Sequence, residues 1–234
     1  MAKEAIILAG GLGTRLRSVV SSLPKCMAPV AEKPFLHYVI NHLQKQGVEK
    51  FIFSIGYLSE AIEKFLETGY SSLDYQLSIE EEPLGTGGAI YLACKKANAE
   101  NVFAVNGDTL FTANINSLLS FHNKNNAECS LALKPMQQFD RYGVVELDKN
   151  NCISSFNEKK YYDTGLINGG VYVINKKQFL TRPFAEKFSF EKDYLEAAVN
   201  EKKFYGLEQD EYFIDIGVPE DFERAQKELA ELKM

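Results

Sequence analysis

The sequence contains no tryptophan, three histidines and only four cysteines among its 234 residues. The cysteines, at 26, 94, 129 and 152, form no CxxC pair that could supply a zinc site. A structural zinc site is therefore not expected, and neither is histidine-based catalysis. We expect four reduced, buried or half-buried thiols, as in a protein of a reducing compartment.

Long hydrophobic runs are also absent, and none approaches the roughly 20 apolar residues that a transmembrane helix needs. The first residues, Met-Ala-Lys-Glu, run directly into a short apolar segment, which is not the pattern of a signal peptide. Positive charge is scarce, because 26 Lys and Arg face 32 Asp and Glu, giving a net charge of −6. We expect a cytoplasmic protein that binds neither membranes nor nucleic acid, and any anionic substrate requires a local cluster of cations.

Short apolar runs alternate with amphipathic segments through the first half of the chain, for example at 5–8, 35–46 and 51–55. This alternation predicts βαβ units and a mostly parallel sheet. From about residue 128 short strand-like runs dominate, which predicts an antiparallel or mixed extension of the sheet. The expected fold is a Rossmann-like three-layer α/β fold with a mixed sheet. We expect a single domain over 1–234, with halves at about 1–127 and 128–234 and no appended C-terminal domain.

A glycine-rich segment with the sequence LAGGLGTRL, residues 8–16, follows the first predicted strand. Such a turn lets backbone N–H groups approach a phosphate chain closely. No GK[ST] follows, so it is not a Walker A loop, and Leu16 stands where a dinucleotide fingerprint has its third glycine. Arg15 and Lys25 supply a guanidinium fork and a point charge, which favours phosphate binding over a tight turn with two solvated cations.

Two aspartates are candidates for a Mg²⁺ site. Asp108 follows the apolar run 102–106, and Asp215 lies within the apolar run 213–216, where an acidic residue is rarely needed for packing. Mg²⁺ is typically held by one or two carboxylates together with substrate phosphates and waters. A turn or helix-cap aspartate remains the alternative for Asp108.

Two further segments carry polar side chains beside glycines. Glu80 begins a run of three acids before a glycine-rich helix start, where an acid could read the edge of a base. Glu158 and Asn168 could bind sugar hydroxyls, and Lys159 could bind a second phosphate. Surface charges on a β-extension remain the alternative for this second segment.

Taken in the order in which they occur along the chain, the motifs resemble those of the sugar-1-phosphate nucleotidyltransferase family over nearly the whole chain. The matching segments are 8–16 with 24–25, 82–89, 106–108, 156–159, 168–170 and 214–221. More narrowly, segments 139–143, 165–170, 186–190 and 212–219 resemble the D-glycero-D-manno-heptose 1-phosphate guanylyltransferase branch. The resemblance implies that a nucleoside triphosphate and a sugar 1-phosphate give a nucleotide sugar and pyrophosphate, with Mg²⁺. A monomer or a homodimer is expected.

The resemblance also implies the site residues. The nucleotide side comprises Leu8, Gly10, Gly11, Gly13, Thr14, Arg15, Lys25, Glu80, Gly85, Thr86 and Asp108. The sugar-phosphate side comprises Gly143, Glu158, Lys159, Asn168 and Gly170, and the metal ligands are Asp108 and Asp215. The expected catalytic residues are Arg15, Lys25, Asp108, Lys159 and Asp215.

Glu80 favours GTP among the possible nucleotides. Guanine presents two neighbouring donors, and an ionised carboxylate can accept from both, whereas uridylyl- and thymidylyltransferases of the family often carry Gln here. Mannose 1-phosphate with GTP, or glucose 1-phosphate with UTP, dTTP or CTP, remains open. So does a catalytically silent nucleotide-sugar sensor, although such a protein would be expected to lack a metal aspartate or a phosphate-binding cation.

Overall fold

The structure is a computed structural model, and it describes residues 2–10 and 23–231. The strands are β1 (Lys3–Leu8), β2 (Pro29–Val30), β3 (Lys33–Pro34), β4 (Val48–Ile55), β5 (Asp74–Ile79), β6 (Asn101–Asn106), β7 (Thr109–Phe111), β8 (Cys129–Phe139), β9 (Val144–Leu147), β10 (Ile153–Asn157), β11 (Tyr162–Asn175), β12 (Phe204–Glu208) and β13 (Phe213–Asp215). The helices are α1 (Phe35–Lys45), α2 (Ser59–Gly69), α3 (Gly85–Cys94), α4 (Ile115–Lys124), α5 (Lys176–Leu180), α6 (Pro219–Glu231), a π-helix (Phe190–Glu196) and short 3₁₀ turns at Lys25–Met27 and Val199–Glu201.

The central sheet is mixed and runs in the order β10-β9-β11-β6-β1-β4-β5. Strands β6, β1, β4 and β5 are parallel, and their register places Leu8 beside both Asn106 and Ser54. Strand β11 joins β6 in the antiparallel direction and also pairs with β8 and β9, while β12 lies parallel to β8. The carboxyl ends of the four parallel strands therefore meet at one edge of the sheet.

Side chains of the parallel strands alternate between two hydrophobic cores, one on each face of the sheet. Ala5, Ile7 and Phe53 belong to the core covered by α1, α2, α4 and α6. Ile6 and Ile52 belong to the core covered by α3, α5 and the π-helix. Because a strand points successive side chains to opposite faces, apolar runs such as 5–7 are buried on both sides. The predicted three-layer α/β fold with a mixed sheet is confirmed.

Helix α3 is displaced from its predicted position. The sequence predicts a helix over 88–97, but the helix spans Gly85–Cys94. The N–H groups of Gly87 and Gly88 donate to the carbonyl of Phe188, at 3.0 and 3.4 Å, so a distant segment satisfies the first turn. A Cβ atom on Gly87 would lie 2.2 Å from a ring carbon of Phe188, so glycine is required for this packing.

All four cysteines are free and buried. Burial raises the pKa of Cys94 to about 12, which keeps that thiol protonated. Among the described residues, no helix combines the length and the apolar character needed to cross a membrane.

Candidate active site

A cleft of about 590 Å³ opens at the carboxyl ends of the parallel strands. It is lined by Leu8, Ala9, Gly10, Lys25, Cys26, Ser54, Gly56, Tyr57, Glu80, Glu81, Pro83, Gly85, Thr86, Ala89, Asn106, Asp108 and Glu191. The lining includes every described residue that the sequence assigned to the nucleotide side. This volume is in the range of small-molecule binding sites.

Asp108 reaches the cleft because β6 turns sharply at Gly107. The N–H of Gly107 donates to the carbonyl of Leu8 at 2.9 Å, which ties the end of β6 to the end of β1. A Cβ atom at position 107 would lie 2.7 Å from the Leu8 oxygen, so no other residue allows the same approach. The Asn-Gly-Asp sequence therefore fixes the Asp108 side chain at the cleft edge.

Lys25 lies between the carboxylates of Asp108 and Asp215. Its Nζ atom is 2.6 Å from Oδ2 of Asp108 and 3.3 Å from Oδ1 of Asp215. The antiparallel pair β7–β13 sets Asp215 opposite Thr109, which brings the two remote aspartates together. Burial alone lowers the pKa of Lys25, but the charges of the two carboxylates and the hydrogen bonds to them outweigh burial and raise it. Lys25 is a stable cation here.

Asp215 is oriented by three further contacts. Its Oδ1 atom accepts a hydrogen bond from the N–H of Gly217 at 2.8 Å. Its Oδ2 atom lies 3.4 Å from the hydroxyl of Tyr142 and 3.6 Å from Arg141, which also pairs with Asp221. These contacts fix the carboxylate before any ligand binds, which favours a role in binding over a role in packing.

The donor set fits a hard divalent cation. The part of the chain that the structure describes contains no group of three or more His, Cys, Asp or Glu side chains suited to a metal. Two carboxylates nevertheless converge on one cationic group, the Lys25 ammonium. Mg²⁺ characteristically takes one or two carboxylates and completes its shell with phosphate oxygens and waters.

Glu80 lies at the opposite side of the cleft, directly after β5. Its Oε1 atom accepts a hydrogen bond from the Ser54 hydroxyl at 3.2 Å, and its Oε2 atom accepts one from the N–H of Leu84 at 3.0 Å. A Cβ atom on Gly10 would lie 3.4 Å from Oε1, so the carboxylate lies against the glycine-rich segment. Each carboxylate oxygen keeps an unused lone pair for a ligand.

Thr86 and Gly85 also line the cleft, at the start of α3. Gly85 has φ +74°, a left-handed conformation that favours glycine, and a Cβ there would lie 2.6 Å from the Phe188 oxygen. Gly87 and Gly88 pack against the 186–188 segment, because a Cβ atom on either would lie under 3 Å from an atom of Phe188 or Glu186.

The predicted sugar-side residues lie on β11 or beside the ends of β9 and β10, outside the lining of the 590 Å³ cleft. Gly143 directly precedes β9, and a Cβ there would lie 2.4 Å from the Asn157 oxygen. Gly170 has φ +72° at a bulge of β11 and contacts the Asn106 side chain, beside the cleft edge. Glu158 and Lys159 are exposed in the connection between β10 and β11.

Asn168 precedes the bulge in β11. Its Oδ1 atom accepts a hydrogen bond from the N–H of Gly170 at 3.0 Å, and its Nδ2 atom donates to the Tyr172 hydroxyl at 2.8 Å. Bulges are frequent beside active sites because they redirect a side chain. The Asn168 amide is therefore fixed in one orientation.

Four predicted nucleotide-side residues, Gly11, Gly13, Thr14 and Arg15, lie outside the described residues. Their roles stay predictions.

The cleft-lining residues that were not predicted from the sequence include Ser54, Tyr57 and Glu191. Ser54 is a polar residue in an apolar run, and Tyr57 follows the end of β4, so the rule that ligands bind at strand ends points to both. Glu191 has no local signal. It lies in the first turn of the π-helix and reaches the cleft through a tertiary contact, because its Oε2 accepts a hydrogen bond from the Thr86 hydroxyl at 3.0 Å.

The three histidines have structural contacts away from the cleft lining. His37 contacts the hydroxyl of Tyr70 at 2.7 Å, and His42 contacts the carbonyl of Ala113 at 3.3 Å. Buried His122 contacts the hydroxyl of Ser130 at 3.1 Å, and burial lowers its pKa to about 4.

Comparison with known proteins agrees with this geometry. The family model described as Nucleotidyl transferase matches residues 4–231. A D-glycero-alpha-D-manno-heptose 1-phosphate guanylyltransferase of Aneurinibacillus thermoaerophilus is 52% identical over 226 residues, covering 97% of this chain and 98% of its own. The protein of that name from Campylobacter jejuni is 43% identical, covering 94% and 96%.

Among solved structures, HddC from Yersinia pseudotuberculosis complexed with GMP-PN superposes with a TM-score of 0.87. It is 35% identical, and the match covers 97% of this chain and 99% of HddC. Since both the family model and these relatives span nearly the whole chain, the resemblance carried by the ordered motifs is confirmed. The chain belongs to the nucleotidyl transferase family.

Proposed function

We propose that the chain transfers GMP from GTP to D-glycero-α-D-manno-heptose 1-phosphate, giving GDP-heptose and pyrophosphate. Two relatives that bear this activity in their names match the chain over nearly its whole length, at 52% and 43% identity. The observation that carries the choice of nucleotide is the Glu80 carboxylate, held at the cleft by Ser54 and Leu84.

The base is read by Glu80. Guanine offers N1–H and the N2 amine side by side, and an ionised carboxylate accepts from both at once. The Ser54 hydroxyl and the Leu84 N–H bind the carboxylate from the protein side, so its orientation is set before the nucleotide arrives. Uracil and thymine present one donor, N3–H, between two carbonyl acceptors, so one carboxylate oxygen would face a carbonyl oxygen, which disfavours these bases.

The triphosphate is held by Lys25, together with Arg15 of the glycine-rich segment. Asp108 and Asp215 would hold a Mg²⁺ ion, which when bound neutralises phosphate charge between the two substrates. Lys25 stays protonated beside these carboxylates and can exchange one of them for a phosphate oxygen. The described cationic group thus stabilises the negative charge that moves onto pyrophosphate as it leaves.

The nucleophile needs no general base, because a sugar 1-phosphate is already an oxyanion. The chain therefore has to align it with the α-phosphorus and to exclude competing orientations. Lys159 is exposed and hydrogen-bonded to no described residue, so its ammonium is available to bind the sugar phosphate. Asn168 on β11 and Glu158 directly after β10 bind sugar hydroxyls.

The test is pyrophosphate release with Mg²⁺, crossing GTP, UTP, dTTP, CTP and ATP with heptose, mannose and glucose 1-phosphates. The proposal expects turnover with GTP and the heptose substrate at least tenfold above every other pair. Equal turnover with mannose 1-phosphate would replace the sugar assignment. Preference for UTP or dTTP would refute the role of Glu80, and nucleotide binding with no turnover in any pair would refute the enzymatic assignment.

A further inference from the structure

Tyr57 brings an aromatic ring to the wall of the cleft. Of the described residues that line the cleft, Tyr57 alone is aromatic, and it is 51% exposed. Among the described residues, the other exposed large apolar side chains are Leu23, Ile79 and Tyr161, and none of these three lines the cleft. Single apolar residues on open surface are ordinary, whereas an exposed aromatic ring in a binding cleft can pack against a ligand.

The turn after β4 keeps Tyr57 out of the hydrophobic core. Ile55 points into the core on one face of the sheet, and a continued strand would send Tyr57 to the same face. The chain turns instead, because the N–H of Ser59 donates to the carbonyl of Gly56 at 3.1 Å and Leu58 takes a left-handed conformation with φ 58°. This conformation is unfavourable for a bulky side chain, and such residues concentrate at functional sites. The turn leaves Tyr57 at the cleft.

Close backbone contacts bring Tyr57 to the same part of the cleft as Glu80. The N–H of Glu80 donates to the carbonyl of Ile55 at 2.9 Å, and a Cβ atom on Gly56 would lie 3.6 Å from the Cβ atom of Glu80. A Cβ atom on Gly10 would lie 3.1 Å from the Gly56 nitrogen. The ends of β1, β4 and β5 therefore meet at Gly56, and Tyr57 is the next residue. A base whose edge meets the Glu80 carboxylate is expected to lie beside Tyr57.

We propose that the ring of Tyr57 stacks on the base of the bound nucleotide while Glu80 accepts hydrogen bonds from the edge of that base. This inference rests on the proposed function, in which Glu80 reads guanine. A ring that covers the face and a carboxylate that meets the edge contact different parts of one base, so both residues can bind it together. Every base has a π face, so Tyr57 contributes affinity and Glu80 contributes the choice between bases.

The absence of tryptophan from the sequence provides a direct test of stacking. Tyr57→Trp introduces a single indole, whose fluorescence is quenched when guanine stacks on it. GTP should quench this emission in a saturable titration, whereas ribose 5-triphosphate, which lacks a base, should not. Tyr205→Trp is the matched control, because Tyr205 is half-buried on β12 and lies outside the cleft lining. Equal quenching in the control, or by ribose 5-triphosphate, would overturn the proposal.

Two further variants separate the ring of Tyr57 from its hydroxyl. Tyr57→Phe keeps the ring, so its affinity for a non-hydrolysable GTP analogue, measured by calorimetry, should stay within about twofold of the wild type, whereas Tyr57→Ala should bind about tenfold more weakly. The loss should be the same for the ITP analogue, because hypoxanthine keeps both rings and lacks only the N2 amine. Equal losses in Tyr57→Phe and Tyr57→Ala would assign the contact to the hydroxyl and overturn stacking, and so would wild-type affinity in Tyr57→Ala.

These outcomes separate the stacking inference from the proposed function. The wild-type preference among nucleotides, measured as turnover, reports on the proposed function alone, whereas binding to the Tyr57 variants needs no turnover. If the chain prefers a nucleotide other than GTP, the proposed function fails, yet Tyr57→Ala should still weaken binding of the preferred nucleotide about tenfold. If GTP is preferred and turned over while Tyr57→Ala binds it as the wild type does, stacking alone is overturned.

Discussion

Replacing Glu80 by Gln should lower the preference for GTP without unfolding the protein. The N–H of Leu84 can only donate, so the new amide must keep its oxygen at the position of Oε2. Its nitrogen then takes the position of Oε1, where the Ser54 hydroxyl can turn to accept from it. Both neighbours stay satisfied, and the melting temperature should stay close to that of the wild type.

The substitution should weaken the interaction with guanine. In the proposed base reading, two guanine donors face the two acceptor oxygens of Glu80, whereas in the variant one donor would face an N–H₂ group. A hydrogen bond to a charged group contributes about 1.5–3 kcal/mol, so kcat/KM for GTP should fall about 10- to 100-fold. The value for UTP should stay or rise, because an amide can both donate and accept.

The assay is kcat/KM for GTP and for UTP with one sugar 1-phosphate, read as pyrophosphate release. Glu81→Gln is the matched control, since Glu81 is an exposed neighbour in the same cleft and loses the same charge. An unchanged ratio of GTP to UTP in Glu80→Gln would refute base reading by this carboxylate. An equal change in Glu81→Gln would show that net charge, not hydrogen bonding, sets the preference.

Three further predictions follow from contacts in and around the site. Asp108→Asn should lose about 10²–10³ in kcat while its circular dichroism spectrum stays unchanged, and near-normal turnover would refute its role. Buried His122 has a pKa of about 4 against an ordinary 6.5, so the unfolded chain binds a proton first. The free energy of unfolding should therefore fall as the pH drops below about 6.5, by about 2 kcal/mol at pH 5, and His122→Asn should remove this dependence in urea titrations. Gly87→Ala should cost about 1–3 kcal/mol of unfolding free energy through its clash with a ring, whereas Gly69→Ala, where nothing lies within 4 Å, should not destabilise.

The nucleotide side of the cleft could be predicted from the sequence because it depends on local patterns. Apolar runs such as those ending at Leu8 and Asn106 identify parallel strands, and the carboxyl ends of such strands share one edge. Polar residues directly after these runs, such as Glu80 and Asp108, then fall in one cleft. The meeting of Asp108 with Asp215 could also be anticipated, because an acid within an apolar strand needs a reason other than packing.

The remaining features depend on contacts between distant segments. Helix α3 begins at Gly85 because the Phe188 carbonyl, about 100 residues later, accepts from its first turn. Glu191 also reaches the cleft through a contact with a distant segment, its hydrogen bond with the Thr86 hydroxyl. Strand β12 pairs in parallel with β8 far from it in sequence, and its short run has no pattern that selects this partner. Propensity and periodicity describe one segment at a time, so they cannot give such pairings.

The charges around Lys25 explain how an acidic chain can bind two anionic substrates. Lys25 contributes one positive charge and its two partners, Asp108 and Asp215, contribute two negative charges, so this cluster alone repels a triphosphate. Arg141 does not change the balance, because Asp221 neutralises it. A divalent cation on the two carboxylates would reverse the sign and would free Lys25 for a phosphate oxygen. We therefore expect the same pair of aspartates that disfavours free nucleotide to favour nucleotide that arrives with a divalent cation.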